Sequence, residues 1–336
     1  MSKKLTYKDA GVDINEANET KRTFKKFLNS KNKSLLNNQQ SFASLYNFSF
    51  QKYKNPVLVL KTEEPGSKQL LALKNNRYES ICYDMVNHLI NDCIVMGAKP
   101  LTIQDCIVCG KLEKNKVTRM VKAMADACKE QGCILTGGET SEQPGIISKG
   151  TYILSSSIVG IVDKTKIIDG HKIKARDDII GLASSGVHTN GYSLIRAILT
   201  RYPSSANNKI DGIKFIDLLL EPHRCYYLPL KELFPSGRIK GMAHITGGGI
   251  KENLNRILPR DLNAVIDLGK IQKIGKITDA EMLRTFNLGV GLALVCNSKN
   301  TDSIITHIKK NGVHAYKIGV TASGKGQVTT KGKLNF

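Results

Sequence analysis

The sequence predicts an α/β (α+β) protein built from two domains. A chain of 336 residues is long for one hydrophobic core, and 41% hydrophobic residues can fill two. Short apolar segments with strand character alternate with segments whose apolar residues recur at helical spacing. The charged segment 163–178 has no long apolar repeat and interrupts this alternation. We therefore predict a domain boundary near Gly170, with domains 1–169 and 170–336.

The stretch from Asp84 to Pro100 predicts one amphipathic helix on which the interpretation of the chain depends. Gly97 suits the left-handed residue that ends a helix, and Pro100 prevents its continuation. One side of this helix is apolar and carries Val86, Leu89, Ile90 and Cys93, while the other carries Asp84, Asn87, His88, Asn91 and Asp92. Such a polar stripe usually faces water, but we expect this one to face a site.

Composition disfavours membrane, secreted and nucleic-acid-binding proteins. Neither an apolar secretory segment nor a run of about 18 apolar residues appears, which predicts a cytoplasmic protein without membrane contact. The net charge of +21 could indicate nucleic-acid binding, but lysines are scattered and arginines are scarce, so we consider nucleic acid an unlikely partner. A positive field would still attract phosphorylated substrates. The eight cysteines are expected to be reduced, and Cys106 and Cys109 should point to opposite faces of a strand rather than share a metal.

In the first half, two turns carry groups suited to phosphate and metal. A strand at 56–61 leads into Thr62–Lys68, where a carboxylate, a glycine, a hydroxyl and a lysine could hold metal-bound phosphate, although an ordinary charged turn is the alternative. A strand at 133–136 is expected to end in a loop at 137–145, where two glycines precede Glu139. Asp105 lies inside a predicted strand at 101–109, and a site role and a structural hydrogen bond are equally favoured for it.

In the second half, two strand–loop–helix segments predict ligand contacts. The first runs from a strand at 179–184 through His188 into a helix at 192–200, and its loop suits an anion because free amides and the helix dipole point there. The second places three successive glycines, 247–249, between His244 and a helix at 250–257. Close backbone contact with phosphate or ribose explains these glycines, and a flexible hinge is the alternative. Asn287 could contact a ligand or cap a turn.

Several motifs resemble those of one enzyme family. Asp92, Gly97, Ala98 and Pro100 fit D-x4-G-A-x-P, which resembles the signature of the aminoimidazole ribonucleotide (AIR) synthetase superfamily. The octapeptide 7–14 resembles the N-terminal signature of the phosphoribosylformylglycinamidine cyclo-ligases within it. Further resemblances follow in family order, at G-G-E-T-S-E-Q-P-G from Gly137, H-T-N-G-Y-S-L-I-R from His188 and R-T-F-N-L-G-V-G from Arg284. The match runs from about residue 7 to residue 319, which favours this family over selenophosphate synthetases and thiamine monophosphate kinases.

Two segments depart from the family pattern. The segment 38–44, N-Q-Q-S-F-A-S, has no glycine where the family usually has several. The family's T-D-G-V-G-T-K is T-E-E-P-G-S-K here, with Glu63, Glu64, Pro65 and Ser67 replacing the family residues. These changes make a catalytically impaired, nucleotide-binding paralogue the alternative to an active enzyme.

The resemblance implies two α/β halves, a homodimer formed by the N-terminal halves, and a cleft for ATP and a ribonucleotide. It implies ATP-dependent closure of the imidazole ring of aminoimidazole ribonucleotide in purine biosynthesis, with Mg²⁺ and, as an optional further cation, K⁺. The implied catalytic residues are His188, His244 and Lys68, with Lys68 on phosphate, and the implied metal ligands are Glu63, Asp92 and Glu139. The implied ATP- and substrate-binding residues are Thr62, Gly66, Ser67, Gly137, Gly138, Thr140, Thr189, Asn190, Thr246, Gly247, Gly248 and Asn287.

Overall fold

A computed structural model describes residues 6–24, 26–28, 33–36, 43–268 and 279–332. The rewritten segment 38–44 therefore lies mostly outside the described residues. The N-terminal half contains α1 (Ile14–Phe24), β1 (Pro56–Glu63), α2 (Lys68–Lys74), α3 (Tyr78–Ile94), β2 (Lys99–Cys109), α4 (Lys114–Glu130), β3 (Ile134–Glu142) and β4 (Tyr152–Asp163). The C-terminal half contains β5 (Asp177–Ala183), α5 (Tyr192–Arg201), β6 (Lys209–Ile210), β7 (Ile213–Lys214), α6 (Phe215–Leu219), α7 (Tyr227–Leu230), β8 (Ile239–His244), α8 (Gly249–Asn255), β9 (Leu262–Asp267), α9 (Asp279–Thr285), β10 (Val290–Asn297), α10 (Thr301–Lys310), β11 (Ala315–Ser323) and β12 (Val328–Lys331).

The N-terminal half is a four-stranded sheet with helices on one face. Its strand order is β1-β4-β2-β3, in which only β2 and β3 are parallel. α3 packs on β1, β2 and β4, and α4 packs beside it on β3. The apolar side of α3 is fully buried against this sheet, as its helical spacing predicts.

The opposite face of the four-stranded sheet is open in the single chain. Leu58 and Leu60 of β1 are 53% and 69% exposed, and Ile153 of β4 is 39% exposed. Leu58 and Leu60 lie opposite Ile161 and Val159 of β4, whereas Ile153 lies six residues farther along β4, beyond Ser157 and Ser155 on the same face.

The C-terminal half is organised around a six-stranded sheet with the order β12-β9-β11-β5-β10-β8. Its pairs are antiparallel except for β12 with β9. The central strands β5 and β10 are buried along almost their whole length, which agrees with their continuous apolar sequence. The sheets of the two halves are separated by residues 164–176, which include the predicted boundary at Gly170.

The halves meet along the polar side of α3. Asp84 Oδ1 accepts the amide of His223 at 2.7 Å, and Asn87 Nδ2 donates to the carbonyl of the same residue at 2.7 Å. Asn91 donates to the Arg224 carbonyl at 2.8 Å and accepts the Tyr226 amide at 2.9 Å. The polar stripe thus faces the other half of the protein rather than water, and it holds the backbone of residues 221–226.

One predicted loop is a strand in the structure. β3 does not end at Thr136 but continues through Gly137 and Gly138 to Glu142, paired in parallel with β2. The glycines permit this because a Cβ at Gly138 would lie 2.0 Å from the carbonyl oxygen of Asp105. The glycine pair therefore serves close strand packing, with a register shift opposite Gly137.

The two thiols of β2 and the character of the helices complete the description of the fold. Cys109 is buried while Cys106 is partly exposed, so the two thiols do point to different sides of β2. Among the described residues, no helix has the length and apolar character needed to cross a membrane.

Candidate active site

The centre of the candidate site is Asp92, near the end of α3. Its Oδ1 accepts a hydrogen bond from His244 Nδ1 at 2.8 Å, and its Oδ2 lies 3.5 Å from Lys61 Nζ. Lys61 also contacts Glu63 at 2.8 Å. His88, one turn before Asp92 on α3, directs Nε2 toward both carboxylates, 3.7 Å from Asp92 and 3.9 Å from Glu63. Both halves therefore contribute to one group of charged and imidazole side chains.

Burial controls the charge state of this group. Burial alone would raise the pKa of Asp92, but the hydrogen bond from His244 and the nearby His88 and Lys61 lower it overall, so the carboxylate stays ionised. Burial lowers the pKa of His88 to about 4, and the charge of His244 acts in the same direction. His88 is therefore a neutral imidazole at neutral pH, with a nitrogen lone pair available.

Two further histidines extend the group into the C-terminal half. His223 Nε2 lies 2.9 Å from His244 Nε2, and the His223 ring stacks on His188 with 3.8 Å between centroids. Burial lowers the pKa values of His188 and His223 well below their usual range. The buried, stacked rings of His188 and His223 are therefore neutral. The contact between His223 Nε2 and His244 Nε2 needs one proton, which either nitrogen can carry.

The predicted anion loop fixes the orientation of His188. Its Nε2 accepts the Ser185 amide at 3.2 Å, so the proton is on Nδ1, which is buried without a hydrogen-bond partner. The backbone of His188 is left-handed, with φ of 64°. The next residue, Thr189, contacts His88 Nδ1 through its hydroxyl at 3.2 Å. The loop thus joins the α3 group directly.

The altered turn at 62–68 packs against the start of α5. A Cβ at Gly66 would lie 3.5 Å from the Thr189 carbonyl oxygen, and the hydroxyls of Ser67 and Ser193 are 3.5 Å apart. Thr62 lies on β1 rather than in the turn, and its hydroxyl contacts Ser157 at 2.8 Å. Gly66, Ser67 and Thr189 are therefore neighbours, although the sequence predicted the 62–68 turn and the His188 loop as separate sites.

Lys68 occupies a different environment from the one the sequence predicts. It is fully buried, and its ammonium contacts Asp84 at 2.9 Å and donates to the Glu221 carbonyl at 2.7 Å. This arrangement does not support a phosphate contact, because the buried ammonium is already paired with the Asp84 carboxylate and the Glu221 carbonyl. Neither partner could be predicted from the local sequence, since Asp84 comes from the next helix and Glu221 from the other half.

The glycine segment after β8 is an ordered turn. Gly248 and Gly249 have positive φ values of 87° and 62°, and a Cβ at Gly249 would lie 2.1 Å from the Leu283 carbonyl oxygen. Asn253 of α8 holds the turn by donating to the carbonyls of Gly247 and Gly249 at 3.1 and 2.9 Å, and it also contacts Thr246. Asn190 Oδ1 lies 3.4 Å from where a Cβ of Gly247 would stand, so this turn and the His188 loop face each other.

Asn287 caps a turn, which is one of the two predicted alternatives. Its Oδ1 accepts the Gly289 amide and its Nδ2 donates to the Gly186 carbonyl, both at 2.9 Å. The side chain is buried and its amide groups are used internally.

A second group of predicted residues lines a separate cleft of about 630 Å³ beside the four-stranded sheet. Its lining includes Gly137, Gly138, Glu139 and Thr140 of β3 and Asp105 of β2. Burial raises the pKa of Asp105 to about 7, and the nearby Glu139 acts in the same direction. Glu139 is separated from Glu63 by three strand spacings, about 14 Å, so one ion cannot bind both.

Comparison with known proteins identifies the family. Residues 50–162 match the family model described as AIR synthase related protein, N-terminal domain, and residues 174–331 match the corresponding C-terminal domain. A phosphoribosylformylglycinamidine cyclo-ligase from Bacillus cytotoxicus is 40% identical over 333 residues, which are 95% of this chain and 96% of that protein. This chain belongs to the phosphoribosylformylglycinamidine cyclo-ligase family. A cyclo-ligase from Paraburkholderia xenovorans is also 40% identical, over 96% of this chain and 94% of that protein.

Solved structures show the same fold outside the cyclo-ligase family. Thiamine-monophosphate kinase from Stenotrophomonas maltophilia aligns with a TM-score of 0.71 at 16% identity, covering 95% of this chain and 97% of that chain. The hydrogenase maturation protein HypE of E. coli aligns with a TM-score of 0.65 at 13% identity, covering 94% of each chain. The two-domain α/β fold predicted from the sequence is thereby confirmed.

The sequence did not point to Lys61, His223 or Asn253, and it placed His88 on the stripe that faces the site without assigning it a role. His88 had a usable signal, because it precedes Asp92 by four residues on the same side of a helix. His223 had none, because it lies in an irregular segment whose nearest partners are distant in sequence.

Proposed function

We propose that this cyclo-ligase family member closes the imidazole ring of aminoimidazole ribonucleotide from formylglycinamidine ribonucleotide, using ATP and releasing ADP and phosphate, in purine biosynthesis. The observation that supports this most strongly is the near-full-length similarity to cyclo-ligases. This proposal agrees with the position of Glu63, Asp92 and the His188 loop, which lie close together where the two halves meet, here called the seam.

The reaction has two chemical steps. The formyl oxygen attacks the γ-phosphorus of ATP, so that an oxygen–phosphorus bond forms and ADP leaves. The amidine nitrogen then attacks the formyl carbon, the carbon–oxygen bond to phosphate breaks, and the nitrogen loses a proton. The protein's contribution is to position these groups and to neutralise phosphoryl charge.

Glu63 and Asp92 provide the oxygen ligands that Mg²⁺ prefers. Their carboxylates face a common point, because Lys61 Nζ and His88 Nε2 each approach both of them. A bound Mg²⁺ would neutralise charge on the transferred phosphoryl group. We assign Glu139 to a second, separate position in the 630 Å³ cleft, where Gly137, Gly138 and Thr140 would contact ATP or the ribonucleotide. K⁺ is a further cation that the family resemblance suggests.

The start of α5 provides the anion site in this proposal. The free amides at a helix N-terminus and the helix dipole favour phosphate, and Thr189, Asn190 and Ser67 add polar groups beside them. Gly66 allows the 62–68 turn to approach this helix closely. The ordered turn with Thr246, Gly247 and Gly248 faces the same loop and would contact the ribonucleotide.

His244 and His188 handle protons in this proposal. His244 lies between Asp92 and His223 and can hold or pass a proton along these contacts. His188 keeps a proton on Nδ1 that no group among the described residues accepts, so it can donate to a substrate oxygen. Lys68 positions the two halves instead of contacting phosphate.

We further propose that the protein is a cytoplasmic homodimer paired through the open face of the four-stranded sheet. The exposed side chains of Leu58 and Leu60 lie next to each other on this face, Ile153 lies farther along it, and a second copy would cover these apolar groups.

The test measures ADP release with ATP, Mg²⁺ and formylglycinamidine ribonucleotide, followed by detection of aminoimidazole ribonucleotide. We expect ADP release that depends on the substrate, with an equal amount of aminoimidazole ribonucleotide formed. The rate of ADP release should be at least about 100-fold lower in Asp92→Asn, because that change removes a charged ligand from the reacting phosphoryl group. Asp126→Asn, at a surface ion pair of α4, is the matched control and should keep full activity. ATP binding without turnover would support the impaired paralogue, and full activity of Asp92→Asn would refute the assigned role.

A further inference from the structure

His88, Asp92 and His244 form a ligand set that shares Asp92 with the carboxylates assigned to Mg²⁺ but adds two imidazoles to it. Their ligand atoms, two imidazole nitrogens and a carboxylate oxygen, all lie within 4.8 Å of one another. Zn²⁺, Co²⁺ and Ni²⁺ bind imidazole nitrogen well, whereas Mg²⁺ selects oxygen. Among the described residues, this is the group of His, Cys, Asp and Glu side chains that meets the spacing of a metal site.

We propose that His88, Asp92 and His244 bind one transition-metal dication of the Zn²⁺ class, with a fourth position left open. Lys61 and Glu63 flank this group, and a water molecule or a phosphate oxygen would fill the remaining position.

Both imidazoles are oriented by a neighbour, as metal-binding histidines usually are. Thr189 Oγ1 contacts His88 Nδ1 at 3.2 Å, which directs His88 Nε2 at Asp92. His223 contacts His244 Nε2 at 2.9 Å, which leaves His244 Nδ1 directed at the same carboxylate. The site is thus supported from the α3 side and from the C-terminal half. Metal binding would draw the three ligand atoms, which lie within 4.8 Å of one another, closer together.

Proton movement accompanies binding. The proton that His244 Nδ1 donates to Asp92 must leave that nitrogen before it can bind a metal. The contact to His223 offers a route: His223 passes its Nε2 proton to His244 Nε2, His244 releases its Nδ1 proton, and His223 takes one proton on Nδ1, which has no hydrogen-bond partner among the described residues. Each ring then carries one proton, as before.

Lys61 limits the affinity of the site. Its ammonium lies 3.5 Å from Asp92 and repels a dication placed there. Lys61→Met should therefore tighten metal binding by at least about tenfold.

Binding is measured on the full chain without substrate, by titrating Zn²⁺ in a calorimeter and by recording the visible absorption of the Co²⁺ form. We expect one metal equivalent and a Co²⁺ spectrum typical of four-coordinate nitrogen and oxygen ligation. His88→Gln should weaken binding by at least about 100-fold, and Thr189→Val by roughly tenfold, because loss of an orienting partner alone costs 10–100-fold. His171→Gln is the matched control, since it removes an exposed imidazole that also contacts an aspartate.

Equal affinity in wild type and His88→Gln would overturn the proposal, and so would the absence of binding below millimolar Zn²⁺. Melting curves in a chelator confirm that each variant is folded. Metal binding at Asp92 does not depend on the proposed ring-closure reaction. If that reaction is correct, however, metal binding should affect it. Zn²⁺ should then inhibit ADP release in wild type and much less in His88→Gln; metal binding without inhibition would leave the site intact and refute the catalytic role of Asp92.

Discussion

Replacing Lys68 by methionine tests whether its ammonium belongs to the seam between the halves. Methionine keeps most of the side-chain volume but removes the charge that faces Asp84 at 2.9 Å and the hydrogen bond to the Glu221 carbonyl. Both partners of the ion pair are fully buried. Asp84 would keep the His223 amide as a hydrogen-bond donor but would lose its counter-charge.

The expected loss is about 3–5 kcal/mol of unfolding free energy at pH 8, since removing one partner leaves an uncompensated buried charge. The loss should depend on pH. Burial already raises the pKa of Asp84 to about 6 in the presence of Lys68, and the pKa must rise further without it. In the variant, the folded state therefore binds a proton that the unfolded state lacks, and stability falls as pH rises from about 5 to 8.

Urea denaturation followed by circular dichroism at pH 5 and pH 8 measures both effects. Lys74→Met is the matched control, because Lys74 lies on the same helix and is exposed. Adding Asp84→Asn to Lys68→Met should recover most of the lost stability at pH 8. The reasoning is refuted if Lys68→Met costs no more than Lys74→Met at both pH values.

Two further substitutions test the sheet of the N-terminal half. Leu60→Lys should convert the proposed homodimer to a monomer in analytical ultracentrifugation without lowering the melting temperature of the single chain, because Leu60 is 69% exposed there. Leu70→Lys, at an exposed site on α2, should leave the oligomeric state unchanged. Gly138→Ala should lower the free energy of unfolding, measured by thermal denaturation, by more than about 2 kcal/mol, because the new Cβ would lie 2.0 Å from the backbone oxygen of Asp105. Gly247→Ala, whose Cβ would lie no closer than 3.4 Å to a neighbour, should cost far less.

Local pattern was sufficient to predict much of the fold. Helical spacing located α3 and its buried apolar side, and Gly97, which has φ of 76°, marked its end. The apolar runs of β5 and β10 indicated central strands. These features are encoded in neighbouring residues, so a single sequence reveals them.

Features that depend on distant residues could not be predicted in this way. The strand character of Gly137 and Gly138 arises from pairing with β2, and glycine's weak strand preference suggested a loop instead. The burial of Lys68 depends on residues 16 and 153 positions away. The four-histidine group forms only when residues 88, 188, 223 and 244 meet across the seam. Sequence therefore pointed to the end of α3 as a candidate site but not to the side chains that surround it.

The seam has a consequence for how this protein can vary over evolution. Side chains of α2 and α3 recognise backbone groups of residues 221–226, namely amides and carbonyls, rather than the side chains of that segment. Every amino acid except proline offers the same amide and carbonyl. The constraint on docking therefore falls on Lys68, Asp84, Asn87 and Asn91, whereas position 223 can change its side chain and still keep the halves joined. A histidine at position 223 could therefore arise during evolution and alter the proton and metal chemistry of the site. The hydrogen bonds that hold the two halves together would not be weakened.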